Sequence, residues 1–195
     1  MSAGPLSAIL TIEFTGYWIA GEGKGGAGLD DVSYRDAQGC PAMPMTQIKG
    51  QLRETAGRLW SAQEVDALFG NGVAERDDGR SPLAFRGEAR LPRPVRGWFA
   101  SQPETLKQLF RTIASTRITS GGVAADRTLR RIEVAVPMRL DGTVFWRGPR
   151  EPREDWVWRL DQVCAATLAF GKGKNDGLGR ALARCTIPGA EGSEP

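Results

Sequence analysis

Apolar and polar residues alternate from the sixth residue onward. Leu6, Ala8, Leu10, Ile12 and Phe14 point one way while Ser7, Thr11 and Glu13 point the other, with Ile9 the exception. This two-residue period predicts an opening strand. The stretch from Gly21 to Gly28 is too glycine-dense for the interior of a helix or strand and predicts a loop. Between Asp30 and Pro44 there is no helical period and there are two prolines, so the loop continues until Thr46 offers an N-cap. Ile48, Leu52, Ala56 and Leu59 then recur at helical spacing beside Trp60, predicting a first helix despite Gly50 and Gly57.

Leu83, Phe85, Gly87, Ala89 and Leu91 alternate with Arg86, Glu88 and Arg90, which predicts a second strand with a charged outer face. Pro103 and Glu104 open a short helical pattern carried by Leu106, Leu109, Phe110 and Ile113. From Ser115 to Arg131 the periodicity disappears, and the segment reads as an excursion from the core. Ile132, Val134, Val136 and Met138 alternate again, Asp141-Gly142 predicts a tight turn, and Thr143 to Trp146 return, giving a hairpin whose Pro137 suggests an edge. Trp156, Leu160, Val163, Thr167 and Leu168 trace a last helix, and a closing strand runs from Ala181 to Ile187. The element order predicts an α+β class, a ferredoxin-like β-α-β-β-α-β sheet with insertions. A single domain over residues 1–188 and a disordered tail over 189–195 complete the expectation.

Composition narrows the chemistry. The 195 residues contain no histidine, which removes histidine-based triads, histidine-paired ribonuclease sites, Cys-His fingers and HExxH helices. Acid-base work falls to carboxylates, Lys, Tyr, Cys, water or a hard cation held by oxygen ligands. Cys40, Cys164 and Cys185 are too dispersed for a CxxC site, and their odd number suits a reducing cytosol. No apolar run approaches the roughly 18 residues of a membrane span, so a cytoplasmic protein with no membrane partner is expected. Charge is unevenly placed. Residues 76–159 hold 17 Lys/Arg against 10 Asp/Glu, leaving 9 against 13 elsewhere, and nearly all of that positive charge is arginine. A polyanionic partner and a merely solvated arginine surface account for this equally well.

Gly21, Gly23 and Gly26 satisfy GxGxxG, but a proline-broken loop follows where a dinucleotide site needs a helix; no P-loop sequence exists. Phe170 to Arg180 combines four glycines with two lysines and an arginine between a helix and a strand, a composition that can bring backbone N–H groups and cations to phosphates. Lys49 and Arg53 lie four residues apart on one face near a helix start, where cations oppose the helix dipole unless an anion joins them. Asp30, ending the first glycine loop, reads either as an Asx-turn or as an acid available for chemistry.

Three pieces in order resemble the RAMP superfamily of CRISPR-associated proteins. The first is the glycine-rich loop through Gly28-Leu29-Asp30, leading to Pro44-Met45-Thr46-Gln47-Ile48-Lys49-Gly50-Gln51-Leu52-Arg53, which is similar to the family's Pro-Gly-Ser-Ser-Leu-Lys-Gly-x-x-Arg. The others are the region from Thr116-Arg117-Ile118 to Phe145 and the late Gly171 to Arg180 segment; Leu68-Phe69-Gly70 is similar too. The resemblance spans most of the chain and is strongest to the repeated backbone subunit of type III effector complexes. Met45 and Gln47 depart from the family's Gly and Ser.

That resemblance implies an RRM-like palm that grips guide RNA (crRNA), a thumb hairpin over about 116–131, and cleavage of a complementary target RNA. By it, Asp30 is the catalytic carboxylate and metal ligand, or Asp31 if the register shifts by one, with a divalent ion, Mg²⁺ or Mn²⁺, as cofactor. Lys49, Arg53, Thr116, Arg117, Arg127, Arg130, Gly171, Lys172, Gly173, Lys174, Gly177, Gly179 and Arg180 are the implied RNA-binding residues. Further copies of the chain and other effector subunits are the implied partners. The competing reading is a non-catalytic architectural subunit of the same kind of complex, with Asp30 structural.

Overall fold

The computed structural model describes residues 4–21, 28–71, 81–115, 130–148 and 152–189. Its central strand is β1 (Ser7–Phe14), the opening strand that alternation predicts. Ala8, Leu10, Ile12 and Phe14 are all buried, and Ile9 lies on the less buried face. Around β1 the strands β2 (Ala42–Pro44), β4 (Glu88–Arg90), β7 (Arg139–Trp146) and β8 (Ala181–Thr186) form one sheet in the order β2-β4-β7-β1-β8, and β3 (Leu83–Phe85) also pairs with β7. Every pairing in it is antiparallel, and Leu10 sits opposite Gly142 on one side and Cys185 on the other.

Helices α1 (Met45–Leu59) and α4 (Trp156–Ala166) contribute the apolar side chains that cover this face. From α1 come Met45, Ile48, Leu52 and Ala56, and from α4 come Trp156, Val157, Leu160, Val163 and Cys164, all in one core cluster with β1. Each fully buried Leu, Ile or Met contributes roughly 1.5–3 kcal/mol relative to exposure, so the spacing in α1 and α4 is the main reason these helices form here.

Several expectations change. Helix α1 begins at Met45 directly out of β2, without Thr46 as cap; the Met45 N–H donates to the Gly87 carbonyl at 2.9 Å. The expected strand from Leu83 to Leu91 is divided at Gly87 (φ +70°) into β3 and β4. The expected hairpin at Asp141-Gly142 does not exist. Those residues continue β7 through the middle of the sheet, where Gly142 lies against Met45: a Cβ there would come within 2.6 Å of its sulfur. Packing against α1 requires an absent side chain at that point, and this outweighs the turn preference of Asp-Gly. The chain instead bends at Pro137, ahead of β7.

The helical pattern after Pro103 is a 3₁₀ segment, Pro103–Leu109, and Phe110 and Ile113 belong to β5 (Phe110–Ser115). Strand β5 pairs antiparallel with β6 (Arg130–Ala135), Phe110 facing Ala135 and Ser115 facing Arg130. Two helices, α2 (Ala62–Phe69) and α3 (Arg93–Ser101), are additions to the sequence reading. The expected thumb lies outside the described residues except for Arg130 and Arg131, as do Thr116, Arg117 and Arg127; of the expected tail only Gly189 is described. Among the described residues no helix is long and apolar enough to cross a membrane.

The β5–β6 ribbon is fastened to the sheet by Trp18. Its N–H donates to the Ala135 carbonyl at 3.1 Å, its carbonyl accepts from Ala135 at 2.8 Å, and its indole Nε1 donates to the Val136 carbonyl at 3.0 Å. The buried ring stacks on Phe14 with centroids 4.3 Å apart.

Candidate nucleic-acid interface

The Gly171–Arg180 connector is built against α1. The Gln51 side-chain amide donates to the Gly171 carbonyl at 2.9 Å and accepts the Gly171 N–H at 3.1 Å. Lys172 N–H donates to the Ile19 carbonyl, and Gly179 N–H to the Tyr17 carbonyl. Within the loop, Asp176 and Leu178 N–H groups both donate to the Gly173 carbonyl. Gly171, Gly173, Gly177 and Gly179 all have positive φ. The loop is thus a folded element that commits the amides of Gly171, Lys172, Asp176, Leu178 and Gly179 to protein acceptors and carries its cations on side chains.

Those cations already have carboxylate neighbours. Lys172 Nζ is 2.8 Å from Asp31 Oδ2 and Lys174 Nζ is 3.2 Å from Glu54 Oε2. The hydrogen bond from Lys174, together with its charge and that of Arg58, holds the Glu54 carboxyl below the usual range. Arg53 is paired with Asp66 of α2 at 3.0 Å. Lys49 differs: no ion pair links it to any described residue, and burial, with Arg53 and Arg147 nearby, pushes its ammonium below the ordinary lysine value. A half-buried amine crowded by two guanidinium groups gains from an anion in a way that an exposed lysine does not. Arg130 and Arg180 are exposed.

Beside Arg53 and Glu54, a groove of about 580 Å³ runs between α1 and α2, lined also by Gly50, Gly57, Trp60 and Asp66. Nothing lies within 4 Å of a Cβ added at Gly50 or Gly57, so no packing inside the described chain calls for glycine at either position. In a helix interior each costs about 1 kcal/mol against alanine.

The two aspartates of the acidic step separate. Asp30 is exposed; its N–H donates to the Arg131 carbonyl at 2.7 Å and its Oδ2 accepts the Arg131 N–H at 2.6 Å, so it sits at the start of β6. Asp31 bridges to Ile132 in parallel register and turns its carboxylate to Lys172. Arg35 stacks over Phe110 at 4.0 Å and pairs with Glu133 at 2.9 Å, which ties the segment after Asp31 to the same ribbon. Asp36 makes the Asx-type turn, accepting from Gln38 and Cys40 N–H groups.

Asp30, Asp31, Lys172 and the root of β6 therefore share one end of the fold; Lys49 and Arg53 lie on one flank of α1, with Arg53 toward α2, and Lys174 meets α1 further round, at Glu54. No group of three carboxylate or cysteine side chains that could hold a metal exists among the described residues. Asp31 is paired with Lys172 at 2.8 Å. Sequence reasoning missed Gln51, Glu54, Asp66 and Arg147, since nothing in a periodic pattern marks which polar residue will cross to another element.

No family model and no curated protein sequence matches the chain. Among solved structures, it aligns with a chain of the cryo-EM structure of the type III-B Cmr-beta bound to cognate target RNA, at a TM-score of 0.67 and 9% identity, over 94% of this chain and 98% of that one. A chain of the type III-B Cmr-beta structure in the apo state aligns at 0.67 and 12% identity with the same coverage. The likeness agrees with the resemblance carried by the three motifs: over nearly its whole length, the chain has the fold of a chain found in type III-B Cmr-beta structures.

Proposed function

We propose that the chain is a guide-RNA-binding backbone subunit of a type III CRISPR effector complex, acting in the cytoplasm beside further copies of itself and other effector subunits. The observation that carries this reading is Lys49, a half-buried cation without a carboxylate partner among the described residues, crowded by Arg53 and Arg147 on the face of α1 that the RAMP resemblance assigns to guide RNA. The strand order β4-β7-β1-β8, with α1 after β1 and α4 after β7, supports the finer ferredoxin-like, RRM-like description. The Cmr-beta likeness, which includes a target-RNA-bound state, supports RNA as partner.

Target-RNA cleavage centred on Asp30 is the second half of the proposal. The RNA 2′-OH is its own nucleophile, so the protein has only to hold the strand in line and stabilise charge on the phosphate. Asp30 offers one carboxylate oxygen beyond the one bonded to Arg131. A divalent ion there would take its remaining ligands from RNA phosphates and would supply charge neutralisation. One observation favours the non-catalytic alternative: the Asp30–Arg131 backbone contact fastens the acidic loop to β6, a sufficient structural role by itself.

The test is RNA binding by the purified chain with Lys49→Met and Arg147→Met variants. Affinity should fall steeply with salt, be indifferent to base sequence, and drop in both variants. Binding that ignores salt, or variants equal to wild type, would remove the reading.

A further inference from the structure

Lys172 and Lys174 both meet carboxylates, but their surroundings differ. Lys174 pairs with Glu54, which is half exposed, so water can replace either partner. Asp31 is only 19% exposed, and its second oxygen, Oδ1, is buried with no hydrogen-bond partner in the described structure. Were Lys172 to leave, neither oxygen would retain a partner in a largely enclosed place, which is strongly unfavourable. The pair is therefore persistent. An ammonium has three donors, and here one is directed at Asp31 while the side chain of Lys172 stays 46% exposed.

Gly21 makes the pair possible. A Cβ at that position would lie 2.6 Å from Lys172 Nζ and 2.7 and 2.8 Å from the two Asp31 oxygens. Gly21 does not have a positive φ, so the bare Cα, and not backbone freedom, is what the position requires. The main chain of Lys172 is pinned as well, by its N–H on the Ile19 carbonyl and by the Gln51 clamp on Gly171. Both ends of the lysine are thus fixed before any ligand arrives.

We propose that Asp31 is a positioning residue for RNA binding: seated against Gly21, it holds the Lys172 ammonium at a set point of the interface, so that an RNA phosphate meets an already ordered cation. This rests on the RNA-binding reading above. Its consequence has a sign opposite to simple electrostatics. Asp31 is an anion beside a polyanion, so by charge alone its removal strengthens binding, whereas loss of positioning weakens it.

The experiment measures affinity of the purified chain for a short single-stranded RNA across a salt series, with thermal unfolding as a check on the fold. Asp31→Asn should bind several-fold more weakly than wild type. Gly21→Ala, which alters no charge and displaces the flexible end of Lys172, should weaken binding in the same direction and serves alone if Asp31→Asn does not fold. Lys172→Met should bind weakly with a smaller salt slope, by roughly 0.7 for one lost phosphate contact. Neither Asp31→Asn nor Gly21→Ala should weaken binding further in the Lys172→Met background. Asp31→Asn or Gly21→Ala binding as tightly as wild type, while Lys172→Met binds weakly, overturns this inference alone. Lys172→Met without effect overturns the RNA reading of the loop, and this inference with it.

Discussion

Gln51 and Gly171 form a closed two-bond ring, side-chain amide to backbone amide, at 2.9 and 3.1 Å, across 120 residues of sequence. It registers the glycine-rich loop against the flank of α1 that carries Gln51 and Glu54, on the far side of the helix from Lys49 and Arg53. Gln51→Ala leaves both backbone groups of Gly171 without these partners and should lower stability by about 1–3 kcal/mol. Urea denaturation measures the loss, and hydrogen exchange should locate it at Gly171 and Lys172. An unchanged midpoint would mean that the clamp is decorative.

The loop glycines should separate into two classes. A Cβ at Gly171 would stand 2.4 Å from the Ile19 carbonyl oxygen, and one at Gly179 would stand 2.0 Å from that of Phe170, both backbone atoms that cannot swing aside. At Gly177 nothing lies within 4 Å. Gly177→Ala should cost only the left-handed strain of about 1–2 kcal/mol, while Gly171→Ala and Gly179→Ala should cost clearly more. Thermal melts of the three single variants compare them directly.

Asp30→Ala should abolish cleavage of a complementary target while leaving guide and target binding near wild type, because it removes charge stabilisation and not the phosphate grip. EDTA should reproduce the loss. Asp31→Ala should still cut when RNA is saturating. Normal cutting by Asp30→Ala, assayed by product gel, would make Asp30 structural, and no cutting by the wild-type protein would favour the non-catalytic alternative.

Lys49 gives the interface a pH dependence. Its ammonium is held below the ordinary lysine value by burial and by Arg53 and Arg147, so in the RNA-free fold stability rises with pH from that depressed value toward the ordinary one. RNA favours the charged form. Affinity should therefore fall on the alkaline side before other lysines titrate, and Lys49→Arg, which stays charged, should move the fall to higher pH.

Burial among α4 and β8 side chains, with Asp161 nearby, pushes the Cys185 thiol up to about 12, and Cys164 beside it is raised as well. The unfolded chain ionises these thiols near 8.5, so between about 8.5 and 12 the unfolded state binds fewer protons and stability falls as pH rises. Cys185→Ala should flatten that fall, as read from urea midpoints, and native Cys185 should resist alkylation until the chain unfolds.

Elements whose apolar residues all face one core were legible in the sequence: β1, α1, α4 and β8 follow their periods to within a few residues. The reading failed where one residue serves a distant partner. Asp141-Gly142 carries the local signature of a turn, yet Met45 occupies the space beside Gly142, and only the tertiary structure reveals it. Phe110 and Ile113 fit a helical period as well as they fit a strand, and pairing with β6 decides between them. Helix α2 has its signal in Ser61 and Glu64, whose capping box the structure contains, but its eight residues are too few for a period to stand out. At the interface the individual cations were foreseeable from composition. Their pairing with Asp31, Glu54 and Asp66 was not, since each pair joins two different elements, two of the three from opposite ends of the chain.

The two outer strands of the sheet end in protein. On β8 the Ala181 N–H is taken by the Leu168 carbonyl and the Cys185 N–H by Asp161 Oδ1. On β2 the Ala42 N–H is taken by the Tyr34 carbonyl, and Pro44 has no N–H to offer. Neither border presents a free ladder of donors, which is the template for strand addition. A strand from another molecule laid along either border therefore finds these donors already taken.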